Sequence, residues 1–144
     1  MSQKRVLDSF ALLAYLNKEA GFITVKNLLA AAQQKNESAE STKSDITLLM
    51  NEINIGEVYY ILSRKRGTEQ ADYFIETILP GLPITAVSNS FNDIIAAARI
   101  KAAHTLSFSD CFAVITAQQN KAAILTGDPE FKHIEHLVKV EWLR

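Results

Sequence analysis

Apolar residues recur along this chain in two alternating patterns. Compact apolar runs read as strands: "RVLDS" ending at Asp8, "DITLLM" from Asp45, "PITAV" from Pro83, "KAAILT" up to Thr126 and "LVKVEWL" near the end. Between them the spacing turns helical. "SFALLAYLNK" begins a helix, and "FITVKNLLAAAQQK" carries Val25, Leu28, Leu29 and Ala32 at helical intervals. "INIGEVYYIL" starts a helix that runs to Arg66 and stops at Gly67. Thr68 is expected to cap "EQADYFIETIL", which Pro80 and Gly81 end. Ser88 or Ser90 opens "FNDIIAAARIKAAH", and a Ser-rich cap opens "LSFSDCFAVITAQQN". The polar stretch "NESAESTKS" reads as a surface loop. Strands alternating with helices or helix pairs predict an α/β fold, with a central, largely parallel sheet covered on both faces.

Composition narrows this only a little. The chain has 144 residues, 48% of them apolar and 22% charged, which suits a single domain over residues 1–144 with a core of its own. One cysteine, Cys111, excludes an intrachain disulfide and fits a reducing compartment. The N-terminal segment pairs Lys4 and Arg5 with an apolar run, but Asp8 interrupts that run and no spanning segment follows. A cytoplasmic protein without a membrane partner is expected. The net charge of −1 argues against a nonspecific nucleic-acid coat, yet it leaves room for an acidic site offset by basic patches.

Candidate chemistry lies in carboxylates. Ligands of open α/β sheets sit beyond the carboxyl ends of the strands. Asp8 follows the first strand, Asp128 follows the "AAILT" strand, and Asp110 lies in the first turn of the preceding helix. Taken singly, each also suits a structural role: Asp8 as an N-cap, Asp110 in a capping-box-like pattern with Ser107, and Asp128 in an Asp-Pro turn. Glu57 is different. In "INIGEVYYIL", Ile53, Tyr60 and Ile61 flank it on its own face, and Ile55, Val58, Tyr59 and Leu62 cover the other. A helix apolar nearly all round is expected to be buried. A buried, unpaired carboxylate is costly, and Arg64 lies too far along for the usual helical ion pair. A core salt bridge or a neutral, hydrogen-bonded acid answers the conflict; a cation shared with the aspartates answers it better.

All-oxygen ligands favour Mg²⁺ or Mn²⁺ over zinc. His104, His133 and His136 lack a zinc spacing and read as surface residues. No nucleophile elbow, P-loop or dinucleotide fingerprint is present.

Four segments in order, "VLDSFALLAYL", "INIGEVYYIL", "LSFSDCFAVITAQ" and "AAILTGDPEF", resemble the PIN-domain ribonucleases, and specifically the VapC-type toxins of toxin–antitoxin pairs. The resemblance covers essentially the whole chain. It implies a PIN-like three-layer α/β/α sandwich and a metal-dependent endoribonuclease. Asp8, Glu57, Asp110 and Asp128 would hold one or two Mg²⁺ or Mn²⁺ ions, with Ser109 and Thr126 orienting the carboxylates. Many relatives carry Asn two residues after the first Asp, where this chain has Phe10.

Within that resemblance, an RNA substrate, a small cognate antitoxin and a homodimer are the expected partners. Arg64, Lys65 and Arg66 suit either a solvated helix end or a phosphate-contacting patch beside the acids, with Lys101, His104, Lys132 and His133 as weaker candidates. Phe22 and Leu29 suit either an antitoxin groove or ordinary core. The competing readings are a PIN-domain nuclease of RNA processing and a noncatalytic PIN-like binding module. A phosphoacceptor receiver lacks its paired acids and late Lys here, and a haloacid-dehalogenase-type phosphatase lacks the second Asp after Asp8.

Overall fold

The structure, a computed structural model, describes residues 2–37 and 45–143. Five strands make one wholly parallel sheet: β1 (Ser2–Leu7), β2 (Asp45–Asn51), β3 (Ile84–Val87), β4 (Ala123–Thr126) and β5 (Val140–Trp142), in the order β3-β2-β1-β4-β5. The helices are α1 (Ser9–Asn17), α2 (Phe22–Glu37), α3 (Glu52–Arg66), α4 (Thr68–Tyr73), α5 (Phe91–Ala103) and α6 (Phe108–Asn120).

The inner strands are buried on both faces, so their side chains divide between two cores. Leu7, Leu48, Met50 and Leu125 face α1–α4, packing with Leu12, Val25, Val58 and Phe74. Val6, Leu49 and Ile124 face the opposite layer with Ala97, Phe112, Ile115 and Phe131. Two faces to cover require period-two strands that are apolar at every position, and "VL", "LLM" and "AILT" supply them. The sheet therefore sits between two helical layers, the α/β/α sandwich the sequence implies.

The helix boundaries follow local chemistry. Asn51 caps α3 by accepting from Ile53 N. Ser90, not Ser88, caps α5 in a full capping box with Asp93. Gly67 takes φ 93° and ψ 161° between α3 and α4, a conformation open to glycine alone.

Three expectations are corrected. Thr68 is the first residue of α4 rather than its cap; Gly67 holds the cap position and offers no side chain. That helix does not run evenly to Pro80 but widens into a π-turn over Phe74–Ile78 and tightens into a 3₁₀ turn over Leu79–Gly81. Asn36 and Glu37 of the expected loop belong to α2, and the rest of "NESAESTKS" before Asp45 lies outside the described residues. Of the two residues that suit either a groove or the core, Leu29 is core, while Phe22 is half-buried, stacks on Tyr15 at 5.7 Å and lines a surface depression with Lys18, Gly21 and Thr24.

Candidate active site

The chain adds strands outward from β1 to β2 and β3, then returns to the other side of β1 for β4 and β5. The order of connections reverses between β1 and β4, where such sheets open a crevice at their carboxyl edge. Leu7 pairs in register with Leu125, which brings Asp8 and Thr126 side by side one residue later.

Asp8 is 1% exposed and serves two masters. Its Oδ1 accepts from Ala11 N at 2.9 Å, capping α1, and its Oδ2 accepts from the Thr126 hydroxyl. Thr126 Oγ1 also accepts from Asp128 N at 3.0 Å, so one hydroxyl ties the β1 acid to the loop carrying the β4 acid. Asp128 in turn accepts from Glu130 N at 3.0 Å, which is the Asp-Pro turn role anticipated for it. Capping uses only part of each carboxylate and leaves lone pairs for another partner.

Asp110 stands in the first turn of α6. Ser107 Oγ accepts from Asp110 N at 3.3 Å. The reciprocal bond of a capping box, from the acid to the Ser107 backbone, is not made, since Ser107 alone caps this helix. The Asp110 carboxylate instead joins those of Asp128 and Glu130, with one oxygen of each within 4.8 Å of the others.

Glu57 reaches the same place from α3. Ser109 Oγ donates to Glu57 Oε2 at 3.1 Å, and Asn54, one turn earlier, donates from Nδ2 to the Ser109 carbonyl at 2.9 Å. The helix is not buried all round, a correction to the expectation. Asn54, Ile55, Val58 and Leu62 face inward, whereas Ile53 and Tyr60 are 42% and 46% exposed. Glu57 sits at the border between those faces, half-buried. The apolar flank is a rim beside the acids, continued by exposed Phe108.

The electrostatics show the crowding. Burial pushes the Asp8 carboxyl up to about 8, despite the bonds from Thr126 and Ala11, and the negative fields of Asp110 and Asp128 push the same way. Burial likewise raises Asp110 to about 7, with further push from Asp128, Glu57 and Glu130. Thus the structure brings together all four acids read from the sequence, along with Ser109 and Thr126.

Glu130 and Asn54 were missed. Their signals were a second acid in "GDPE" and a polar residue three before Glu57 in an apolar run. The basic run is not drawn in. Arg66 donates to Asn17 Oδ1 at 2.6 Å, at the end of α1 remote from Asp8, and Arg64 lies over the Tyr60 ring at 5.2 Å. Seven to nine residues of helix separate these cations from Glu57, about 10–14 Å. His104 packs on His136 at 5.3 Å, while Lys132 and His133 are exposed on the turn after Asp128.

The donor set is oxygen-only, which suits a hard divalent cation. Two observations support the fit: Glu57 Oε1 is buried without a hydrogen-bond partner, and two carboxyls are held far above their ordinary range by burial and mutual repulsion. A positive charge among them relieves both.

The sequence profile of the PIN domain matches residues 5–137. Comparison with curated proteins finds no match. Among solved structures, the chain is similar to VapBC2 from Rickettsia felis bound to a DNA fragment from its promoter (TM-score 0.71, 16% identity, 99% of this chain and 100% of that one). It is also similar to Mycobacterium tuberculosis VapC20, a Sarcin-Ricin loop cleaving toxin (0.67, 16%, 89% and 92%). A third is DNA-bound VapBC from Salmonella typhimurium (0.67, 15%, 96% and 97%). At these identities the likeness is one of fold.

Proposed function

This chain belongs to the PIN domain family, and from that premise we propose that it is a metal-dependent endoribonuclease of the VapC type, the toxin of a toxin–antitoxin pair. The observation that carries the reading is the convergence of Asp8, Glu57, Asp110 and Asp128 at the carboxyl edge, with Asp8 and Asp110 pushed well above the usual carboxylate range. Such a cluster is poorly stable alone and suited to a Mg²⁺ or Mn²⁺ ion.

In this reading Asp8, Glu57, Asp110 and Asp128 hold the cation. When bound, the ion supplies an acidified water and charge neutralisation at the scissile phosphate. The protein's own contribution is positioning. Thr126 holds the Asp8 carboxylate against β4, and Ser109 holds Glu57 against α6, so the acids keep their places despite repulsion. Arg64, Lys65 and Arg66, about 10–14 Å along α3 from Glu57, suit either RNA phosphates away from the cleaved bond or a solvated helix end.

The solved VapBC complexes that share this fold support a small antitoxin as partner, and a cytoplasmic homodimer is part of the same proposal. Among the described residues no helix is long and apolar enough to cross a membrane.

The test is cleavage of total cellular RNA with Mg²⁺ or Mn²⁺, comparing wild type with Glu57→Gln and Asp110→Asn, with the new RNA ends mapped. Both variants are expected to lose divalent-dependent cleavage while remaining folded. Wild-type cleavage by either one refutes the assignment. A PIN-domain nuclease of RNA processing differs by having no adjacent small antitoxin gene, and a noncatalytic binding module by showing no cleavage at all.

A further inference from the structure

Apart from Arg5 Nε, which is ion-paired with Glu141 at 2.8 Å, the described buried side-chain atoms without a hydrogen-bond partner are Asn54 Oδ1 and Glu57 Oε1. They belong to one face of α3, a single turn apart. Each side chain is fastened by its other polar atom to the same residue of α6: Asn54 to the Ser109 carbonyl at 2.9 Å, and Glu57 to the Ser109 hydroxyl at 3.1 Å. Ser109 directly precedes Asp110.

The orientation of the Asn54 amide is not interchangeable. The Ser109 carbonyl can only accept, so Nδ2 must face it, and Oδ1 is the atom left over. The side chain is 0% exposed. A buried acceptor with no donor costs about 1–3 kcal/mol, and such groups in folded proteins call for a water, an ion or a catalytic role. A simple clamp between α3 and α6 needs only the donor. The acceptor brings a cost that an apolar residue at this position avoids.

We propose that Asn54 is a positioning residue of the cleavage site: its Nδ2 fixes the Ser109 carbonyl, and its Oδ1 accepts a hydrogen bond from a water carried by the bound divalent cation. This rests on the cation-dependent nuclease reading above. It makes α3 a two-point support, with Glu57 in contact with the ion and Asn54 holding its hydration shell and the turn that presents Asp110. No charge is added to a site that already carries an excess of it.

Mn²⁺ binding to the full chain tests it, measured by calorimetry with the free ion counted by electron paramagnetic resonance. Asn54→Val and Asn54→Thr match in shape and differ in hydrogen bonding. The valine variant is expected to weaken Mn²⁺ binding about tenfold or more, in the range known for groups that orient metal ligands. The threonine variant is expected to recover most of it, and the metal-free melting temperature of the valine variant is expected not to fall. Wild-type Mn²⁺ affinity in the valine variant overturns the proposal, as does a lowered metal-free melting point with affinity intact, the mark of a purely structural clamp. If valine is not accommodated, Asn54→Ala takes its place with the same expected and overturning results. Wild type and Asp110→Asn binding Mn²⁺ alike overturns the cation reading itself, and with it this one.

Discussion

Replacing Asp8 by Asn should make the metal-free protein more stable while abolishing its activity. Asp8 is 1% exposed, and burial with two neighbouring aspartates holds its carboxyl at about 8. In the unfolded chain the same group ionises near its ordinary value of 3.8. At pH 7 the unfolded state therefore gains an ionisation that the folded state resists. At about 1.4 kcal/mol for each pH step, this disfavours the fold by roughly 4 kcal/mol. Asn has the same shape and keeps an Oδ1 for Ala11 N, so the α1 cap survives. The Asn amide would face Thr126 Oγ1, which must then accept rather than donate, and the displaced hydroxyl proton gives back about 1 kcal/mol. The net gain is then roughly 2–3 kcal/mol, or a melting temperature higher by about 5–10 °C for a chain of this size. Differential scanning calorimetry at pH 7 with a chelator measures it. Saturating Mn²⁺ should stabilise wild type strongly and the variant weakly, narrowing or reversing the gap. A variant that melts at or below wild type in chelator would mean that the fold favours ionised Asp8, and the burial reasoning would be wrong.

Because folded Asp8 and Asp110 hold protons up to about 8 and about 7, the folded state binds more protons than the unfolded one from about pH 4 upward. Metal-free stability should accordingly fall as pH rises through that window, with a higher melting temperature at pH 5.5 than at pH 8.5; the opposite slope refutes it. A Cβ on Gly127 would lie 2.3 Å from Phe10 Cε1, so Gly127→Ala must displace that ring. It should cost about 1–2 kcal/mol alone and close to nothing in a Phe10→Ala background, a coupling that a double-mutant cycle with urea unfolding reads directly. Asn51 is fully buried, accepts from Ile53 N and Asn89 Nδ2, and donates to Asn89 and Thr116. Asn51→Ala should destabilise the protein by roughly 2–4 kcal/mol, seen as an earlier urea midpoint with an unchanged slope; a loss under 1 kcal/mol would show the network to be idle.

Much of the fold was legible because its determinants are local. Continuous apolar runs mark strands buried on both faces, and Gly67, Ser90 and Ser107 mark helix ends by chemistry that acts within a turn. The misses share a cause. The π-turn at Phe74–Ile78 leaves no local signature, because a widened turn is selected by what the helix packs against. The apolar flank of α3 looked buried because hydropathy reports what a face tolerates, and it cannot say whether a neighbouring element covers Ile53 and Tyr60. Phe10, opposite Gly127, explains itself only across the crevice: the aromatic ring fits where a side chain at residue 127 is absent.

Local pattern supplied the parts: four acids, each at the end of a strand or the edge of a helix, and the alternation that makes a parallel sheet. For three of those acids it also supplied an adequate local role, and capping does account for hydrogen bonds of Asp8 and Asp128, though not of the Asp110 carboxylate. That these acids share a second role follows from the packing of segments far apart in the chain. The reversal of strand order beside β1 brings residues 8 and 128 together, and α3 and α6 add residues 57 and 110. Burial and repulsion then raise carboxyls that would titrate normally apart. The same convergence admitted Glu130 and Asn54, whose meaning depends on distances of a few ångströms between segments far apart in the chain, a scale to which periodicity and local propensity are blind.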